Sequence, residues 1–201
     1  MQSIENKVIS RIYGRKRGWV FAPNDFLDLG SRPLIDKALS TLTQKGTIRR
    51  LARGLYDYPR LHPKLGTLPP FPEKVAIAIT AKDKSRFQPS GAYAANLLGL
   101  TEQVPARVIF LTDGTNRTVT IGKTKITFKR TTPKNMVTAG RVTGLVIQAL
   151  RHLGAAHIDQ KTVDHLRRKL SASDKTHLLK DIRYAPAWIG SILRQIAEPG
   201  G

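Results

Sequence analysis

From Ser3 the apolar residues Ile4, Val8, Ile9 and Ile12 recur at spacings of four, one and three, which puts them on one side of a helix that Gly14 closes. Ser3 is positioned as its N-cap. After the basic turn Arg15, Lys16, Arg17, Gly18 comes an apolar run, Trp19 to Phe21, long enough only for a brief strand. Pro23 to Leu29 predicts a two-turn helix, with Pro at its start and Gly30 as terminator. Ser31 then caps a longer helix, in which Leu34, Ile35, Ala38, Leu39 and Leu42 form an apolar stripe ending at Gly46.

Thr47 to Leu51 and Leu55 to Tyr58 read as two short strands joined around Ala52, Arg53 and Gly54, a hairpin with a basic tip. Helix, strand, helix, tight turn, helix and hairpin within about 60 residues is the order of a winged helix-turn-helix. Five prolines between 59 and 73 exclude helix and central strand, so residues 61–74 are expected to be a linker. The next segment, EKVAIAITAKD, favours helix through its alanine content.

Farther on, Ser90 stands before the compact helix AYAANLLGL, where capping is its expected role. Val104 to Leu111 suits a buried strand, and the alternation through Val119–Ile121 and Lys125–Arg130 predicts a second hairpin. Four helical segments follow: Arg141 to Leu153, Gln160 to Leu170, Asp174 to Ile182 and Ala187 to Ala197. The expected fold is α+β, with a winged helix-turn-helix over 1–60 and a larger mixed domain over 75–201 that carries a small sheet and C-terminal helices.

Charge adds a partner to this picture. The 34 Lys and Arg against 14 Asp and Glu leave a formal +20 on 201 residues, a field that favours a polyanion. Residues 1–60 hold 12 basic and five acidic side chains, and the remainder holds 22 and nine, so both parts are basic. The 40% hydrophobic content suffices for a core and argues against wholesale disorder. The absence of cysteine removes disulfides and thiolate metal sites and fits a reducing cytoplasm. No unbroken apolar segment suggests a signal peptide or a membrane span.

In a winged helix-turn-helix the second helix of the motif enters the major groove, and here its outward positions would be Ser31, Arg32, Asp36, Lys37 and Ser40. Arg32 has the planar fork that matches guanine, Lys37 suits phosphate, and Asp36 suits holding an arginine or accepting from cytosine. Arg49, Arg50 and Arg53 of the hairpin are expected to meet phosphate or the minor groove, with Arg15, Lys16 and Arg17 as further candidates. A phosphate-cradling Gly-rich loop, GxGxxG and HExxH are missing, so no catalytic residue, metal or cofactor is expected. Lys123–Lys134 and Arg167, Arg168 and Lys169 form two further basic stretches that are equally compatible with a solvated face.

The strings VFAPNDFLDLGSRPLIDKALSTLTQKGTIRRLARGLYDYPRLHPKLG and PSGAYAANLLGLTEQVPARVIFLTDG together resemble the AbiEi family of antitoxins and transcriptional regulators. The resemblance implies a winged helix that binds inverted repeats of double-stranded DNA in its own promoter and represses an operon. It further implies a C-terminal domain that counteracts a nucleotidyltransferase-type toxin, AbiEii, in a type IV toxin-antitoxin system, without a stable complex between the two. Two alternatives stand beside it: an RNA- or tRNA-binding protein using the same positive surface, and a regulator without antitoxin activity.

Overall fold

Ser3 opens the first helix as the spacing predicts. Its hydroxyl accepts the Asn6 N–H at 3.2 Å, and α1 runs Ile4–Gly14 with Val8 and Ile12 fully buried. The structure is a computed structural model that describes residues 3–198. The architecture is α+β, small sheets combined with helices, and the chain divides into two units. One comprises Met1–Lys84 with Thr120–Lys123, the other Ser85–Val119 with Thr124–Gly201.

In the N-terminal unit, β1 (Val20–Phe21) leads into a single 3-10 turn, Pro23–Phe26, in place of the expected two-turn helix. The reason is local. The Asp25 carbonyl, which a continuing α-helix would turn toward Leu29, accepts from Arg11 at 2.8 Å, and Leu29 bonds Phe26 instead. Arg11 also grips Asp28 through both carboxylate oxygens, at 2.7 and 2.6 Å. This hydrogen bonding holds Asp28 below the usual carboxylate range and raises Arg11.

Helix α2 (Arg32–Gln44) follows from Ser31, and Gly46 takes the positive φ of +69° that ends it. Strands β2 (Arg49–Ala52) and β3 (Leu55–Asp57) complete an antiparallel sheet of order β1-β3-β2. Ile12, Phe21, Phe26, Ile35, Leu39 and Leu42 fill the core beneath it, with Phe21 and Phe26 edge-on at 5.4 Å. Leu34 departs from the predicted stripe: it is 50% exposed, because Ile35 already occupies the inward position.

The proline-rich stretch is more ordered than a linker. Two-residue strands β4 (Leu61–His62) and β5 (Gly66–Thr67) pair around a turn in which His62 Nδ1 accepts the Lys64 and Leu65 N–H groups, both at 3.2 Å. The prolines fall outside the paired residues, which is how strand and proline coexist here. Pro72 opens α3 (Pro72–Thr80), confirming the helical reading of this segment. Because α3 packs on β1 and buries Val75 and Ala76 completely, the division falls after Lys84 rather than between residues 60 and 75.

The C-terminal unit begins with β6 (Phe87–Ser90), a strand that the pattern of the sequence does not predict. Pro89 sits in it without penalty because β6 is the edge of a sheet ordered β6-β7-β9-β8. The others are β7 (Arg107–Thr112), β8 (Arg117–Ile121) and β9 (Thr124–Arg130), with β7 and β9 parallel. Ser90 does precede α4 (Gly91–Leu97), but its hydroxyl makes no capping bond and donates to Gln148 Oε1 at 3.3 Å.

A short α5 (Pro133–Met136) leads to α6 (Val142–Leu153), α7 (Gln160–Lys169), α8 (Ala172–Asp181) and α9 (Ala187–Ala197), close to the predicted segments. Ala94, Val146, Leu150, Leu166, Leu178 and Leu193 lie in their shared core. Gly144 is required by close approach. A Cβ there would overlap the Thr138 carbonyl and stand 2.6 Å from Gln88 Oε1.

Gly144→Ala should therefore destabilise the protein by about 1–3 kcal/mol, the usual cost of overpacking, seen as a lower thermal midpoint with the same secondary structure. Acid should act through Asp28 and through three carboxylates of the C-terminal unit. Arg86 holds Asp113 below its ordinary value, the Thr162 N–H does so for Asp159, and Ser171 for Asp174. Their folded pKa values are depressed, so their stabilisation is present above the unfolded value of about 3.9 and is lost as pH falls through the folded values. Thermal unfolding from pH 6 to pH 2, taken as rough limits around that value, should show a shallower acid limb in Asp113→Asn/Asp159→Asn/Asp174→Asn than in the parent.

Candidate nucleic-acid interface

The helical period divides α2 into two faces. Ile35, Ala38, Leu39 and Leu42 point into the core, and Ser31, Arg32, Asp36, Lys37 and Ser40 are all exposed. Ser31 is the N-cap by position, yet its side chain makes no capping hydrogen bond, which leaves the hydroxyl to the outside. Arg32 Nε lies 2.9 Å from each Asp36 oxygen, and its Nη1 donates to Asn24 Oδ1 at 3.2 Å. Asp36 thus orients the arginine, the first of the two roles its position suggests.

That pair is half exposed on both sides, so it contributes only about 0.3–0.5 kcal/mol and an incoming acceptor can displace it. Arg32 is steered rather than locked. Lys37 carries no ion pair or side-chain hydrogen bond among the described residues.

The three hairpin arginines separate into two kinds. Arg49 does not face outward: it stands directly across from Asp57 on β3 and meets it at 3.1 and 2.7 Å, while its fork also donates to the Leu68 carbonyl at 3.1 Å. Asp57 is 1% exposed, so Arg49 is committed to neutralising a buried carboxylate and is removed from the outward-facing set. Arg50, paired with Tyr56 on the other face of the strand, is nevertheless exposed to solvent. Arg53 is exposed at the tip beside Gly54, whose φ of +69° makes the tight return possible. Neither Arg50 nor Arg53 has a partner among the described residues.

The basic turn is similarly mixed. Arg17 donates to the Pro59 carbonyl at 2.9 Å and stacks 4.5 Å over Tyr58, which ties the turn to the end of β3. Arg15 rests 5.8 Å over Trp19, and Lys16 adopts a positive φ of 66° with its side chain exposed. Arg17 serves the fold. Lys16 alone of the three is uncommitted.

Asn24 is missing from the predicted set, and no signal in its own neighbourhood singles it out, since its role follows from the folded position of Arg32. In the C-terminal unit, Arg107 on β7 lies directly across from Lys125 on β9, and both share a shallow pocket with Lys129. Arg167 is occupied by Asp164 and the Gln195 carbonyl, each at 2.7 Å. Among the described residues no group of three or more His, Asp or Glu could hold a metal ion, and no helix is long and apolar enough to cross a membrane.

Residues 7–178, from within α1 to within α8, match a family described as of unknown function, DUF6088. The chain belongs to DUF6088. The DUF6088 match takes in α2, the basic hairpin, the four-stranded sheet and α6, so both units are part of what defines the family. A comparison with curated proteins gave no match. The family description assigns DUF6088 no activity, so function has to be argued from the site.

The different commitments of the arginines are separable by mutation. Arg49→Ala leaves the Asp57 carboxylate buried without its partner and should cost about 3–5 kcal/mol. Arg50→Ala and Arg53→Ala should stay within about 0.5 kcal/mol of the parent, as exposed substitutions do. Denaturant unfolding of the three variants checks this ordering, and an Arg49→Ala protein as stable as Arg50→Ala would refute it.

Proposed function

We propose that the N-terminal unit is a winged helix-turn-helix that binds double-stranded DNA and that the protein is a transcriptional repressor. The observation that carries this reading is the exposed face of α2, with Arg32 held by Asp36 and Asn24, beside a hairpin whose Arg50 and Arg53 are exposed and unpartnered among the described residues. A planar guanidinium presented on the first turn of a helix suits the two acceptors of guanine in the major groove. Arg50, Arg53, Lys37 and Ser31 are suited to phosphate, which fixes register without reading sequence.

The +20 charge supports a polyanionic partner of this kind. Such a protein would work in the cytoplasm on its own promoter. The likeness to the AbiEi family extends the proposal to an antitoxin that counters a nucleotidyltransferase-type toxin, a function we attribute to the C-terminal unit.

Titration of the promoter fragment and of a random duplex with the full chain tests the DNA reading. Arg32→Ala should lose about 1–3 kcal/mol on the promoter and less on random duplex. Arg50→Ala/Arg53→Ala should weaken both alike and flatten the salt slope by about 0.9 for each phosphate that the protein no longer neutralises. Equal losses in Arg32→Ala would reduce Arg32 to a phosphate-binding side chain, and tighter binding to tRNA than to the promoter would replace DNA with RNA as the partner. The antitoxin part is tested by toxin rescue with expression from an independent promoter, where Arg50→Ala/Arg53→Ala should still protect.

A further inference from the structure

The start of α2, the tip of the hairpin and the end of α3 converge within the N-terminal unit on a cleft of 530 Å³. That volume lies in the range of small-molecule sites, about 300–1,000 Å³. Arg32, Arg53 and Lys82 line it together with the carboxylate Asp25, and Arg32 is already paired with Asp36, so its unpaired cations are Arg53 and Lys82. Asp25 already spends one oxygen on the Ala22 N–H at 2.8 Å. Arg53 and Lys82 have no hydrogen-bond or ion-pair partner among the described residues. Two unpaired like charges brought to one cleft repel one another, and an anion inserted between them removes that repulsion.

The rest of the lining includes Pro23, Leu55 and Ala78, which suit an organic group but offer nothing to a hydrated inorganic ion. From this combination we propose that the cleft binds a phosphorylated small molecule of about nucleotide size and that its occupancy lowers DNA affinity. A phosphate can accept from Arg53 and Lys82 at once, and the arginine fork matches its geometry. The apolar lining takes the organic body. Regulation rests on the DNA reading given above: Arg53 belongs to the DNA-facing set and Arg32 lines the same cleft, so a ligand held there by Arg53 competes directly with the duplex. Lys82 lies outside that set and distinguishes the two roles.

Isothermal titration of the full chain with AMP and with inorganic phosphate provides the test, with promoter titrations in the presence and absence of AMP. AMP should bind more tightly than phosphate. Lys82→Ala should weaken AMP about tenfold, as loss of one charge-assisted hydrogen bond does, while a control at an exposed lysine of the C-terminal unit, Lys180→Ala, should not. AMP should raise the apparent Kd for the promoter in the parent, and the same concentration should have little effect in Lys82→Ala. Absence of AMP binding, or equal loss in Lys180→Ala, overturns the site. Loss of promoter affinity in Lys82→Ala without AMP binding assigns the cleft to a DNA phosphate and also overturns it. AMP binding sensitive to Lys82, in a protein that binds no duplex, would uphold the site and refute only the DNA reading.

Discussion

A carboxylate taken out of water needs a cation beside it, and in the N-terminal unit the hairpin is organised around one such case. Asp57 is buried on β3, and Arg49 faces it from β2 with two hydrogen bonds. The remaining donor capacity of the same fork reaches the Leu68 carbonyl, so one guanidinium joins both hairpin strands to the segment beyond β5. Desolvation makes such a pair a poor source of net stability, but it makes the arrangement hard to change, because removing either member strands the other. The consequence for function comes from the two-residue period of the strand. With Arg49 held by Asp57, Arg50 falls on the opposite face and stays exposed, and the turn at Gly54 carries Arg53 to the tip. The C-terminal unit uses the same device, with Arg141 bonded at 2.7 Å to Asp181, which is 5% exposed.

The N-terminal elements were legible because their signals are local. Five apolar positions at helical spacing predicted α2, of which four face inward while Leu34 does not, and the polar residues between them had nowhere to go but out. Ser3 and the hairpin followed from capping and turn chemistry. The failures came from partners that the local pattern does not register. Arg11 takes the Asp25 carbonyl and so stops the turn after Pro23 short of a second helical turn, and Arg11 lies 14 residues away. Arg49 reads as one more surface arginine until Asp57 is placed opposite it. Edge strand β6 contains a proline and lacks alternation, and only its pairing with β7 makes it a strand. The proline-rich stretch misleads because proline forbids a ladder bond at its own position and leaves residues between prolines free to pair.

Of the candidate site, the helix positions were legible and the sorting of the arginines was not. Arg15, Arg17, Arg49, Arg50 and Arg53 carry the same charge and the same donors. Their environments decide what each does: an aromatic face for Arg15, a carbonyl and a ring for Arg17, a buried carboxylate for Arg49, and water for the last two. Composition predicts how strongly the chain attracts a polyanion, but it cannot say which cations are free to meet one.

The same distinction explains why an acid stands on the exposed face of α2. In a chain of +20, attraction to phosphate is available everywhere and discriminates nothing. Asp36, the one acidic residue in α2, reduces that attraction where Arg32 emerges and constrains the guanidinium through both of its oxygens. Specificity is a difference between affinities, and a repulsive group can enlarge it as effectively as an attractive one. A phosphate brought to this spot gains Arg32 but meets Asp36. A base edge that presents acceptors to the arginine and a donor to the carboxylate satisfies both. If the proposed DNA reading holds, the carboxylate would bias the helix toward reading bases, while the hairpin, which has Arg50 and Arg53 exposed and its own acid buried at Asp57, would be left to hold the backbone.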